Sequence, residues 1–368
     1  MPKPLRVALI MDPTAAHRAP LVDGLLNAEV GEVAAVDPSG RSFEEVRAVA
    51  GQKLRATYTD RDRAYRDFLP EVAIITLEPW RMPEAITQAL EFGAHVFHDK
   101  PGCVRIEDYR AIYRLAKQRD RHLCIAYSGR GTAVNREARR LVAEGLLGDL
   151  FACHAWFIAD HHRTRQAGQT VEEYNLASGG WFHSRQKAGG GALSILGCHY
   201  LDLMRYVTGR NFTSVAAMCA VVGGEPIEVE DAAVLSLTFD AGLVGTLQAG
   251  YYTTPAEYAA LRHMGFMLWG RDGWLSFNPN GTAIRAPLLW ASQRGYHAAA
   301  PHHTWVFDAQ DATTNGFRLL FREFYRACQG EGPPPLAPED GLWVNECIHA
   351  AYRAAETGQR QTIAIPAV

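Results

Sequence analysis

The chain has 368 residues, more than one compact core of ordinary size holds, so two domains are expected. Hydrophobic residues at 48% and charged residues at 21% exclude a disordered or fibrous chain. With 37 basic against 40 acidic residues, a net charge of −3 and no basic block, the chain lacks the electrostatic footprint of a binder of nucleic acid or membrane surfaces.

Leu5 to Ile10 is an apolar run bounded by Pro4 and Pro13, a buried strand by its length, and a helical pattern follows from Ala19 to Asn27. Glu32 to Val36 reads as a second strand, closing on Asp37 and the turn-rich Pro38-Ser39-Gly40, and Glu71 to Thr76 as a third. A helix over Pro83 to Phe92 is followed by the strand-like His95 to His98, a helix over Asp108 to Gln118 and the strand-like His122 to Tyr127. This alternation predicts a parallel, doubly wound sheet, a Rossmann-type α/β domain over residues 1–127.

From Leu150 the strand-like runs lengthen: Leu150 to Ile158, Thr213 to Val222, Ala232 to Phe239 and Val244 to Tyr252. Gly270-Arg271-Asp272-Gly273 reads as a hairpin turn in which glycine supplies a positive backbone torsion. Residues 128–368 therefore predict an α+β domain with a large open, mostly antiparallel sheet. Helices over Gly316 to Cys328 and Glu339 to Thr357 close it, the last expected to pack back near the domain interface.

Seven cysteines without a C-x-x-C pair indicate neither a disulfide framework nor a zinc ribbon, and fit the reduced thiols of a cytoplasm. Met1-Pro2-Lys3-Pro4 leads into a strand and not into an apolar signal region, and no stretch approaches ~18 uninterrupted apolar residues. A cytoplasmic location is expected.

Two segments carry chemistry. His98-Asp99-Lys100-Pro101-Gly102 directly follows a predicted parallel strand, and ligands of open α/β sheets lie at the carboxyl ends of strands, so Lys100 is expected to point at a cleft. The alternative is a solvated lysine in a turn. Gly189-Gly190-Gly191 opens a periodic helix running to Asp202, and glycines there allow a ligand or another backbone to approach closely. On that helix Ile195 and His199 share a face, and Asp202 is spaced to hydrogen-bond the His199 ring and fix its tautomer. The alternative is a core histidine, but beside a glycine triplet and a cleft lysine the pattern reads as functional.

Together these segments resemble the Gfo/Idh/MocA family, the relatives of glucose-fructose oxidoreductase and inositol dehydrogenase. Asp99-Lys100-Pro101 resembles the family's E-K-P motif, Gly189 to Asp202 its G-G-G-x-x-x-D-x-G-x-H-x-x-D helix, and Gly270 to Gly273 its G-T-x-G hairpin. Phe317, Phe321, Phe324 and Ala327, with Gly330, Pro335 and Pro338-Glu339-Asp340-Gly341, resemble its closing segment. The resemblance implies a dinucleotide on the first domain, at Asp12, Pro13, Thr14, Ala15, Asp37, Thr76, Asp99, Lys100 and Pro101. It implies a sugar, cyclitol or related polyol on the second, at Lys100, Trp156, His183, Ile195 and His199. It also implies a nicotinamide-dependent oxidoreductase in which His199 carries the hydroxyl proton and Lys100 stabilises the alkoxide and orients the nicotinamide ribose.

The sequence departs from the family pattern at three places. The positions expected to read G-x-G-x-x-G are Met11-Asp12-Pro13-Thr14-Ala15-Ala16, without the glycines that permit a tight turn and close approach of pyrophosphate. The family's aspartate four residues before the histidine is Ile195, and the acid of E-K-P is the shorter Asp99. Asp37 favours NAD over NADP, although Arg41 is placed to meet the extra phosphate. No metal is expected; the alternative gathers His161, His162, His183 and His199 on one ion. Other readings are glycoside hydrolysis or elimination through transient redox on a retained NAD, and a non-redox metal-assisted or sugar-binding protein. A homodimer or homotetramer packed through the open sheet is expected.

Overall fold

The computed structural model describes residues 3–26, 29–159, 180–223, 227–251, 263–279, 287–306 and 316–366. Strands β1 (Val7–Met11), β2 (Val33–Val36), β3 (Leu54–Tyr58), β4 (Val72–Thr76), β5 (His95–His98) and β6 (Leu123–Ile125) form a parallel sheet in the order β3-β2-β1-β4-β5-β6. Every residue of β1, β2 and β4 is buried, because helices cover both faces of a parallel sheet, and that is why these strands read as unbroken apolar runs. The strand order reverses between β1 and β4, whose last residues Met11 and Thr76 pair across the ladder. A crevice opens at such a reversal, outside the carboxyl ends of the strands.

The sequence reading passed over β3. It is an edge strand in which half-buried Leu54, Ala56 and Tyr58 alternate with exposed Arg55 and Thr57, so it carries no apolar run. The first helix is also shorter than expected, covering Arg18–Val22 before tightening into a 3₁₀ turn over Asp23–Leu26.

The second sheet has nine strands: β7 (Leu150–Ile158), β8 (Phe212–Ala220), β9 (Ala232–Phe239), β10 (Val244–Gly250), β11 (His263–Gly270), β12 (Gly273–Phe277), β13 (Leu288–Ser292), β14 (His303–Trp305) and β15 (Gln361–Thr362). Their order is β14-β13-β12-β11-β7-β10-β9-β8-β15, antiparallel throughout except for the parallel pair β7 and β10. Cys153, Ala155 and Phe157 of β7 face the core, which holds the helix Cys198–Thr208. The opposite face carries the cross-strand row Met267, His154 and Thr246, and also exposes Met218, Val234, Val244 and Trp269.

The β11–β12 turn falls at Arg271-Asp272, but neither flanking glycine has a positive φ. They are there for space: a Cβ on Gly270 would meet the Leu147 carbonyl at 2.3 Å, and one on Gly273 the Ala291 carbonyl at 2.1 Å. The long helix Pro338–Thr357 packs on β8 and on the helix Ile106–Gln118. Arg110 donates to both Glu346 carboxylate oxygens at 2.6 and 2.8 Å, and Asn345 Nδ2 donates to the Pro101 carbonyl at 3.0 Å, so this helix ties the segment after β5 to the second sheet.

Candidate active site

Lys100 follows β5 by two residues and is 5% exposed. A buried ammonium needs a partner, and Lys100 Nζ donates to the Ile195 carbonyl at 2.8 Å. That carbonyl lies within Leu193–Gly197, which is wound as a π-turn, and it also accepts from the Cys198 thiol at 3.6 Å. Ile195 lacks the family's carboxylate, yet its main chain anchors the lysine. Asp99, also buried, accepts the Lys100 amide at 2.7 Å and the His17 Nδ1–H at 3.0 and 3.1 Å on its two oxygens. Burial pushes the Asp99 carboxyl up, but the charges and hydrogen bonds of His17 and Lys100 outweigh it and hold the group below its ordinary value.

Lys100 and His199 line one cavity of ≈ 370 Å³, together with His17, Asn135, Phe157 and Ile195. Rings of His17, Tyr127 and Phe157 surround that of His199, with centroids 6.3, 6.2 and 6.5 Å away. Among the described residues, two buried atoms near His199 and the cavity have no hydrogen-bond partner: the Tyr127 hydroxyl, behind the lining, and Asn135 Oδ1, although the Asn135 amide nitrogen donates to the Gly129 and Pro279 carbonyls. His17, Tyr127 and Asn135 were not singled out from the sequence, since each is a lone residue far along the chain from the two motifs.

Asp202 is not the partner of His199. Its carboxylate takes Arg130 Nε at 3.0 and 3.1 Å and Nη2 at 2.6 Å, and Arg130 also reaches Asp340. A buried guanidinium requires such counter-charges, so the aspartate serves the packing beneath the helix. The glycine triplet is likewise a packing device. Cβ atoms on Gly190 and Gly191 would lie 1.8 Å from the Tyr352 hydroxyl and the Glu230 carbonyl, and the Glu230 carboxylate accepts the amides of Gly191 and Leu193.

Two expected sugar contacts lie elsewhere. Trp156 alternates with Phe157 and sits on the outer face of the sheet, stacked on His154 and filling the space over Gly265. His183 is buried against Phe182 and Tyr251, and Phe182 lines the cavity in its place. His161 and His162 lie outside the described residues, among which no group of three metal-ligating side chains is gathered.

The resemblance assigns the nicotinamide end of a dinucleotide to the crevice between β1 and β4. Thr76, the last residue of β4, is fully buried there, and its hydroxyl has no partner among the described residues. The diphosphate end is built differently. Asp12 Oδ1 accepts both the Thr14 amide (3.0 Å) and hydroxyl (2.6 Å), and the Ala15 amide donates to the Asp12 carbonyl at 3.1 Å. Asp37 is fully buried, its carboxylate accepting the Ser39 amide and hydroxyl at 2.8 Å and the Ser42 amide at 2.9 Å.

Residues 15–127 match the family model described as the oxidoreductase family with an NAD-binding Rossmann fold, and residues 135–276 match the GFO/IDH/MocA C-terminal domain. The chain is 25% identical over 289 residues to a 1,5-anhydro-D-fructose reductase of Ensifer adhaerens, covering 76% of each chain. Among solved structures, it superposes on an oxidoreductase domain protein of Kribbella flavida with a TM-score of 0.81 at 21% identity, covering 99% of this chain and 100% of that one. A levoglucosan dehydrogenase in complex with NADH and levoglucosan gives a TM-score of 0.82 at 17% identity over 99% of this chain and 100% of that one.

Proposed function

The chain belongs to the Gfo/Idh/MocA family of oxidoreductases, and we propose that it interconverts a secondary hydroxyl and the corresponding ketone of a sugar, cyclitol or related polyol with a nicotinamide cofactor. The observation that carries this reading is the meeting of Lys100 and His199, one from the end of β5 and one from the helix under the second sheet, on a single cavity of ≈ 370 Å³. Oxidising a secondary alcohol needs a base for the hydroxyl proton and a donor for the developing alkoxide. An imidazole nitrogen of His199 takes the proton. Lys100 Nζ has three N–H bonds, spends one on Ile195, and keeps two for the alkoxide. Phe157, Phe182 and Phe317 give the cavity an apolar wall that excludes water from the reacting carbon.

A bound nicotinamide ring supplies the hydride acceptor. Thr76, Asp99, Lys100 and Pro101 would hold its half of the cofactor, while Asp12, Pro13, Thr14, Ala15 and Asp37 border the adenylate half. NAD is the expected cofactor, because Asp37 leaves a negative charge beneath the adenosine ribose position. Two of the named proteins, the 1,5-anhydro-D-fructose reductase and the levoglucosan dehydrogenase, act on anhydrosugars, which makes these the first compounds to offer. Reduction of NAD or NADP by a panel of anhydrosugars, free sugars and cyclitols tests the proposal. Turnover with at least one class is the expected result, and none with any class would remove it.

The exposed outer face of the nine-stranded sheet supports a homodimer or homotetramer closed through it, and the free cysteines support a cytoplasmic location; among the described residues no helix is long and apolar enough to cross a membrane. Met218→Glu is expected to shift the sedimentation coefficient toward the monomer.

A further inference from the structure

The turn after β1 is closed by the chain's own groups. Pro13 has no amide proton, the Thr14 amide is held by the Asp12 carboxylate, and the Ala15 amide is held by the Asp12 carbonyl. The Pro13 carbonyl accepts from Arg18, and the Thr14 carbonyl accepts from the Trp181 indole at 3.1 Å. Of the amides with which such a turn grips phosphate, Pro13 therefore offers none and those of Thr14 and Ala15 are occupied. Both cations at this turn are occupied as well: Arg18 also pairs with Glu45, and Arg81 Nη1 lies 2.6 Å from Asp12 Oδ2 and 3.7 Å from Glu78 Oε2. Glu78 in turn accepts the Thr14 hydroxyl at 2.9 Å and the Trp80 indole at 2.9 Å.

Asp12 thus makes the contacts that an anionic ligand makes in a Rossmann turn: an amide donor on one oxygen and a guanidinium on the other. We propose that Asp12 is an internal anion occupying the diphosphate position of the dinucleotide crevice, so that a dinucleotide binds only by displacing it from Thr14 and Arg81. The inference rests on the nicotinamide-dependent reading above. It does not rest on the turn alone, because the second adenylate anchor is spent in the same way: Asp37 is fully buried and its carboxylate is satisfied by Ser39 and Ser42. Burial of Asp12 raises its pKa, but hydrogen bonds from Thr14 and Arg81 bring it below the ordinary value, so the carboxylate is charged at neutral pH. An arriving diphosphate meets two carboxylates, Asp12 and Glu78, with Arg81 already shared between them. The chain therefore recognises its cofactor chiefly through the nicotinamide half.

The test is the affinity for NADH and for reduced nicotinamide riboside, which has no phosphate, followed by the fluorescence of the reduced ring in the full chain. Asp12→Asn keeps the shape and the acceptor for Thr14, removes the charge and turns a donor toward Arg81, which is then released to the diphosphate. NADH is expected to bind at least about 10-fold tighter, and the riboside to change less than about twofold. Glu78→Gln, which leaves the turn's own bonds to Asp12 in place, is expected to tighten NADH about threefold and serves where Asp12→Asn does not fold. NADH binding that neither substitution tightens, or an equal gain for the riboside, overturns the inference. Failure of NADH to bind to any of the three forms would instead remove the nicotinamide reading, and the inference with it.

Discussion

At the carboxyl end of β5, Lys100 lines the cavity and spends one N–H on Ile195, and the Asn135 Oδ1 and Tyr127 hydroxyl nearby have no partner among the described residues. At the carboxyl end of β1, Asp12, Thr14, Arg81, Glu78 and Trp181 spend their polar groups on one another. The same sheet therefore presents one edge with hydrogen-bonding capacity left over and one with little. Unspent buried capacity costs stability and is kept where a ligand will use it, whereas a satisfied network contributes to the fold. The chemical end of the crevice is built for a substrate, and the phosphate end is built for itself.

The comparison breaks most sharply at the two central residues. Replacing His199 or Lys100 with alanine is expected to lower kcat/KM by about 10²–10⁴-fold with little change in melting temperature, because each acts in the transition state. Retained turnover in both variants would place the chemistry elsewhere. Asp202 stands on the same helix as His199, but with Arg130 it belongs to the spent kind of network, so Arg130→Ala is expected to act on stability. Leaving Asp202 buried without its counter-charge costs about 3–5 kcal/mol, measured by urea unfolding. An unchanged unfolding midpoint would show that Asp202 finds another partner.

A pH titration separates the fold from the site in a third way. His98, immediately before Asp99, is wholly buried, and desolvation pushes its pKa down to about 4. The unfolded chain binds a proton at this ring from about pH 6.5 downward while the folded chain refuses it until about pH 4. Its contribution to stability is thus complete above pH 6.5 and is lost as the pH falls through that window, by roughly 3 kcal/mol at most. His98→Gln is expected to flatten the acid limb of the stability profile, and a profile of unchanged slope would contradict the assignment. The smallest effect belongs to Trp156→Ala: on the outer face it is expected to leave kcat/KM within about twofold, measured at a concentration where the oligomer is intact.

Much of this arrangement was legible in the residues. Short apolar runs alternating with helices give the parallel sheet, and Lys100 and His199 stand in motifs whose order along the chain marks the family. β3 was missed because Leu54 to Tyr58 alternates half-buried with exposed residues and sits between helices without turn signals of its own. The strand parity of Cys153, Ala155 and Phe157, all apolar, already separates the core side of β7 from the His154 and Trp156 side, and applying it would have moved Trp156 out of the cleft. Other features have no local signal. His17 and Asn135 reach the cavity, and Tyr127 the His199 ring, only through tertiary packing, and the π-turn at Leu193–Gly197 is invisible in a helical periodicity. The capture of Asp202 by Arg130 and of the Thr14 amide by Asp12 are pairings at distance and in a turn, where spacing alone leaves several partners open.

The most direct test of the account is a single turnover with an accepted polyol, mixed with protein and oxidised nicotinamide cofactor while the absorbance of the reduced ring is followed. Hydride transfer is expected in the wild type, slowed when the carbinol carbon carries deuterium and abolished by His199→Ala with cofactor affinity retained. Substrate binding without any reduction of the nicotinamide, or reduction undiminished in the His199 variant, would contradict it.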